Sequence, residues 1–236
     1  MNLKEHAISH VEFLEKTKSP LIWELSLLTA PYTNENMTLP APAHQHMSVE
    51  KMTTLEAIFN NPKSTITILN FANYFYPGGG FMSGAMAQEE SLCHNSLLYP
   101  ILKNQPEWYE YNKQHPNKGL YEHRALYTPN VPFWDSGEEK CVNVITAAAP
   151  NVYTMQATPE ENTKALKERI NMIAGIVADN PVDVLILGAW GCGAFGQNPA
   201  MVATLMQNTN WLGAKEVVFA IPDEKNYSVF KDIIGG

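Results

Sequence analysis

The chain has 236 residues, enough to bury a substantial core and suited to one large α/β domain. Sixteen Lys and Arg against twenty-four Asp and Glu give a formal charge of -8. That balance excludes the broad basic surface that direct binding of duplex nucleic acid requires, so an anionic ligand has to be held locally by backbone amides and helix ends.

No run of about 18 apolar residues suited to crossing a membrane occurs. The N-terminus carries Lys4, Glu5 and Glu12 where a signal peptide needs an apolar core. Three widely spaced cysteines, Cys93, Cys141 and Cys192, suit reduced thiols better than a disulfide framework, and their spacing is not that of a zinc site. A soluble, cytoplasmic protein is expected.

Residues 1–60 are expected to be helical at both ends. "LKEHAISHVEFLEKT" is one helix, and "SVEKMTTLEAIFNNP" places Met52, Leu55, Ile58 and Phe59 on one face of another. Between them, Thr29 to Met47 holds Pro31, Pro40 and Pro42 and reads as a long loop. "STITILNFA" is a buried strand by its β-branched, apolar composition, and it leads directly into Gly78-Gly79-Gly80. The periodicity of Leu92, Leu98, Tyr99 and Leu102 predicts one helix from about Glu89 to Leu102, with Glu89 and Glu90 in its first turn, where the macrodipole favours negative charge. Trp108, Tyr109 and Tyr111 suit a packed aromatic helix, since base-stacking grooves carry basic charge.

"CVNVITAAAP" is the second strand. Thr158, Pro159 and Glu161 form a capping box with proline at the first helical position, opening a helix to about Asp179. "VDVLILGA" is the third strand, "NPAMVATLMQNT" a helix capped by Asn198, and "EVVFAIP" the fourth strand. Apolar strands alternating with helices predict an α/β fold with a mainly parallel sheet covered on both faces, whose ligands bind beyond the carboxyl ends of the strands.

Two glycine-rich loops fall at those ends. Gly191, Gly193 and Gly196 match a dinucleotide fingerprint by letter, but a Rossmann unit carries it after the first strand, and here one strand remains. What survives is a loop whose amides and adjoining helix start suit a phosphate or diphosphate. The triple glycine carries an entropic cost unless something must come close to its backbone. A carboxyl beside it, near a bound ribose, would serve as a general acid with its pKa raised by burial and by its neighbour's charge. Cys192 lies near a helix start, which favours a thiolate, though a small packing residue is the simpler role. His44 and His46 lack a nearby third ligand, so no metal site is expected.

At this point "NFANYFYPGGGFMSGAMAQEE" resembles the signature of bacterial-type (microbial) poly(ADP-ribose) glycohydrolases of the macrodomain superfamily. The likeness extends through "SLCHNSLLY", "VITAAAPN" and "LILGAWGCGAFGQNP", and more faintly to "VVFAIPD". It implies a macrodomain-like three-layer α/β/α sandwich with a mixed, mostly parallel sheet. In this view the chain is a single domain over 1–236, with residues 1–60 a helical extension packed on it.

The same resemblance implies hydrolysis of ribose–ribose O-glycosidic bonds to release ADP-ribose, without metal or cofactor. Glu90 would protonate the leaving oxygen and then, as carboxylate, activate water, because adjacent Glu89 and Glu90 cannot flank a sugar as opposed carboxylates do. Glu89 would position a substrate hydroxyl, Gln88 support the loop and Asn73 hydrogen-bond the distal ribose. Gly78, Gly79 and Gly80 would wrap diphosphate and ribose. Gly191, Cys192, Gly193, Ala194 and Phe195 match the diphosphate loop, with Phe195 packing on the ribose. The substrate would be ADP-ribose or poly(ADP-ribose), with ADP-ribosylated protein or nucleic acid as other targets, acted on by a monomer. A non-catalytic ADP-ribose reader and a mono-ADP-ribosyl hydrolase are the rival readings. Residues 222–230 are expected to form one wall of the site. The negative net charge predicts cleavage at chain ends.

Overall fold

The computed structural model describes residues 2–33, 46–62 and 65–235. The elements run α1 (Leu3–Thr17), α2 (Ser19–Leu28), β1 (Ala30–Thr33), β2 (His46–Glu50), α3 (Thr54–Asn60) and β3 (Ile66–Phe71). They continue with α4 (Gln88–His94), α5 (Leu98–Lys103), α6 (Pro106–Gln114), β4 (Arg124–Asp135) and β5 (Glu138–Ala147). The chain closes with α7 (Pro159–Asp179), β6 (Val182–Leu187), α8 (Pro199–Gln207), β7 (Ala214–Ala220) and α9 (Glu224–Ile234).

The strands form one sheet in the order β1-β4-β5-β3-β6-β7-β2. β5, β3, β6, β7 and β2 are mutually parallel, while β4 is antiparallel to both β5 and β1. The sheet is therefore mixed and mostly parallel, as expected. Alternate residues of β3 divide between two cores: Leu69 faces α7, α8 and α9, whereas Ile66 and Ile68 face the layer built from α1 to α6. Burial on both faces explains why the central strands are almost continuously apolar.

The predicted caps are present. Thr158 accepts from the Glu161 amide and Glu161 reciprocates, and Asn198 accepts from the amides of Ala200 and Met201. Ile58 is buried and Met52, Leu55 and Phe59 pack on the same core, as their spacing predicts.

Other expectations are corrected. Ser48 to Glu50, expected at the start of a helix, belong to β2, and Ala30–Thr33, expected in a loop, form β1. The segment 1–60 is thus not purely helical: it supplies both edge strands. Tertiary pairing of His46–Glu50 with Glu216–Ala220 overrides a local helical pattern. His44 and the middle of the expected loop lie outside the described residues.

The helix expected over 89–102 is two helices. Ser96 donates to the Leu92 carbonyl and accepts from the Leu98 amide, ending α4, while Asn95 and Leu97 turn their backbones to Trp134 and Pro132 of β4. β4 itself escapes notice in the sequence because Pro129 and Pro132 interrupt it, with a bulge between Thr128 and Val131 and Asn130 at positive φ. Ser136-Gly137, both at positive φ, is the two-residue turn joining β4 to β5.

Candidate active site

The carboxyl ends of β3, β6 and β7 open into a cavity of about 580 Å³. Phe71, Ala189 and Trp190 floor it, Met86, Ala87 and Gln88 form one side, and Gly191, Gly193, Ala194 and Phe195 form another. Pro222, Asp223 and Asn226 make the expected wall. Thr53, Thr54 and Leu55 close the remaining side, a contribution sequence reasoning missed. The signal was present, since Thr53 and Glu56 form a capping box that marks a helix start. The size suits a nucleotide-like ligand.

Gln88, at the first position of α4, ties the helix to the end of β3. Its Oε1 accepts from the Phe71 amide (2.9 Å), while Nε2 donates to the Leu69 carbonyl (2.8 Å) and Thr54 Oγ1 (3.2 Å). This lock sets the next two residues against the triple-glycine loop. Glu90 is 7% exposed, its Oε1 accepting from the Gly80 amide (2.8 Å) and its Oε2 from the Ala87 amide (2.9 Å). Glu89 is 3% exposed, its Oε1 accepting from Asn70 Nδ2 (3.1 Å) and its Oε2 from the Asn73 amide (2.7 Å).

The glycines now have a physical reason. Gly79 has φ +56, and a Cβ there would lie 2.6 Å from Glu90 Oε1 and 3.1 Å from Glu89 Oε2. A side chain would occupy the space of the two carboxyls. Gly78, at φ +66, would press a Cβ to 2.7 Å from Tyr99. Asn73 Oδ1 accepts from the amides of Phe75 and Tyr76, shaping the approach to the loop. Behind it, α1 packs on the Phe81–Ser83 turn, and His6 Nδ1 lies 2.9 Å from His94 Nδ1 of α4.

Burial drives the Glu89 pKa up to about 8, opposed by the hydrogen bonds from Asn73 and Asn70 and reinforced by the charge of Glu90. Because the folded protein holds this proton more tightly than the unfolded chain, the stabilisation is complete below about pH 4.5 and is lost as pH rises to about 8. Glu89→Gln is therefore expected to flatten that decline and to be the more stable protein at pH 9. Rotation of the Asn70 amide, whose Nδ2 now faces Glu89, brings to the new NH₂ its Oδ1, which has no partner among the described residues. Chemical denaturation of both proteins between pH 5 and 9 measures this, and parallel pH dependences would refute it.

The second loop turns at Gly191 and Gly196, both at positive φ. A Cβ on Gly191 would meet Ala149 at 2.7 Å and Gln197 at 2.9 Å, whereas Gly193 faces open space. Cys192 and Gly196 return their amides to Ala189 and Gly193, but those of Gly193, Ala194 and Phe195 have no partner among the described residues. They are free to meet an anion. The Cys192 thiol is pushed up to about 12 by burial and packs on the core, so the activated thiolate considered for this position is not supported.

Phe195 and Phe75, one from each loop, pack on the cluster of Tyr74, Tyr121 and Ala148. Tyr74 and Tyr121 stack at 4.2 Å. Of the predicted residues, Gln88, Gly191, Gly193, Ala194 and Phe195 line the cavity; Asn73, Gly78 to Gly80, Glu89 and Glu90 form the adjoining loop, and Cys192 lies beneath. Among the described residues no group of three metal-ligating side chains occurs. No helix among them is long and apolar enough to cross a membrane.

Comparison with solved structures gives close matches. Poly(ADP-ribose) glycohydrolase (PARG) from Thermomonospora curvata, bound to the inhibitor ADP-HPD, is 29% identical, with a TM-score of 0.87 and 98% of each chain covered. PARG from Deinococcus radiodurans in complex with ADP-ribose is 30% identical, with a TM-score of 0.79, covering 91% of this chain and 96% of its own. No curated protein sequence matches the chain. The family model described as microbial-type PARG, catalytic domain, matches residues 10–136, which include β3, the triple glycine and both glutamates. Together with that fold-wide likeness, this match over more than half of its length means that the chain belongs to the microbial-type PARG catalytic-domain family.

Proposed function

We propose that the protein is a poly(ADP-ribose) glycohydrolase, a single domain over 1–236 that releases ADP-ribose by cleaving ribose–ribose O-glycosidic bonds. The observation that carries this reading is the placement of two nearly buried carboxyls against a side-chain-free loop, beside a nucleotide-sized cavity. A reader needs the cavity and the amide loop, but not the carboxyls.

Diphosphate would lie on the free amides of Gly193 to Phe195, with adenosine towards Ile221 and Asp223. The distal ribose would reach Asn73 and Gly78 to Gly80, bringing C1″ to Glu90. The bond breaks as Glu90 protonates the departing ribose oxygen; the carboxylate then takes a proton from water attacking C1″. Burial raises the Glu89 pKa to about 8, so Glu89 keeps a proton at neutral pH beside the residue that carries this step. Glu89 also orients a ribose hydroxyl, and Phe195 packs against the sugar. Positive charge developing on the ribose is stabilised by the neighbouring diphosphate. Free thiols at Cys93, Cys141 and Cys192 support a reducing, cytoplasmic setting, in which the protein acts as a monomer.

The test is release of ADP-ribose from purified polymer, with calorimetric binding of ADP-ribose alongside; binding without release would make the protein a reader. Given the charge of -8, grip on a long polyanion is weak and attack falls on chain ends. Early products from a polymer length series are then single ADP-ribose units, and a predominance of longer fragments would refute end attack.

A further inference from the structure

Resting on that reading, we propose that Tyr76 and Lys113 form a second binding site, outside the cavity, for the adenine and diphosphate of the unit that departs as leaving group. The oxygen released from C1″ belongs to the ribose of another adenosine. An adenine ring therefore lies one sugar away from the scissile bond, and a diphosphate lies beyond it. With one ADP-ribose unit in the cavity, that second adenosine must emerge past the loop that holds the carboxyls.

Tyr76 belongs to that loop, three residues before Gly79. Its amide donates to Asn73 Oδ1 (3.0 Å), and its carbonyl accepts from the amide of Gly79, the residue against which both carboxyls pack (3.2 Å). Pro77 follows and restricts the backbone further. The backbone is thus pinned while the side chain is 59% exposed. A single exposed tyrosine is ordinary. Here it is also paired with a cation: Lys113 Nζ lies 5.7 Å from the ring centroid.

The helix that carries Lys113 is docked to the same segment, because Asn112 Nδ2 donates to the Tyr74 carbonyl (2.7 Å). Glu110 Oε2 lies 3.6 Å from Lys113 Nζ, but that pair is solvent-exposed and weak, so a phosphate can displace it. A π face on a pinned backbone, with an ammonium beside it, is what an adenine carrying a diphosphate requires, and a fixed backbone lowers the entropy cost of stacking.

Binding of ADP-ribose and of its dimer to the Glu90→Gln protein separates the two halves of the site without turnover. Adding Tyr76→Ala is expected to weaken the dimer about tenfold while leaving ADP-ribose affinity unchanged. Tyr76→Trp should retain dimer affinity, and Lys113→Ala should weaken the dimer less, in a salt-dependent manner. In the otherwise unaltered enzyme, Tyr76→Ala should raise KM for polymer with kcat preserved. Dimer binding insensitive to Tyr76→Ala would overturn the proposal, as would equal weakening of dimer and monomer, which would assign Tyr76 to the cavity. A wild-type protein that binds both ligands and leaves the dimer uncleaved contradicts only the hydrolase reading.

Discussion

Glu90→Gln is expected to slow release of ADP-ribose from the polymer by about a hundred- to ten-thousand-fold while ADP-ribose still binds. The amide has the shape of the carboxyl and can still accept from the Gly80 amide, so the triple-glycine loop keeps its anchor. It cannot donate and recover a proton at the leaving oxygen. The substitution also turns an NH₂ towards the Ala87 amide, replacing an acceptor at the start of α4, and costs about 1 kcal/mol of stability. A thermal unfolding scan therefore accompanies the rate measurement. Undiminished release would place the acid elsewhere, and loss of binding together with rate would make Glu90 a binding residue.

Arg169→Met is expected to be the most destabilising of these changes, by about 3–4 kcal/mol in denaturant unfolding, with weaker ADP-ribose binding. Arg169 is 1% exposed on α7, and its guanidinium donates to the carbonyls of Ala148 (2.8 Å), Leu120 (2.8 Å) and Tyr121 (2.9 Å). Burial lowers its pKa to about 10, which still leaves it a cation at neutral pH. Methionine fills much of the volume but abandons three inward carbonyls. Two of them belong to Tyr121 and Ala148, which brace Phe75 and Phe195, so both glycine-rich loops lose a common support. Arg169→Lys should be intermediate, since a compact ammonium cannot reproduce the spread of the fork. A loss below about 1 kcal/mol would mean that water replaces these contacts.

Legibility followed the range of the interactions. Helix caps such as Thr158 and Asn198 involve residues within one turn, and a buried parallel strand such as β6 is apolar from end to end. Both features could be recognised locally. β1 and β2 could not, because His46–Glu50 becomes a strand only by pairing with a segment some 170 residues away. The same holds for the site. Its glycine loops and acidic pair are consecutive motifs and stood out in the sequence, but the wall at Thr53 to Leu55 reaches the cavity only through packing of α3 on the sheet.

The sequence by itself determined the α/β class, the two loops and the identity of the paired glutamates, because these depend on periodicity and on residue types at fixed short spacing. Only the tertiary structure decided which glutamate is held by which amide, and that the raised pKa falls on Glu89. Those outcomes depend on burial and on how the connection from β3 to α4 folds back on itself, which residue types and spacing alone do not give. The reason for the triple glycine emerged at the same level: the space a Cβ would need at Gly79 is occupied by the carboxyls of Glu89 and Glu90.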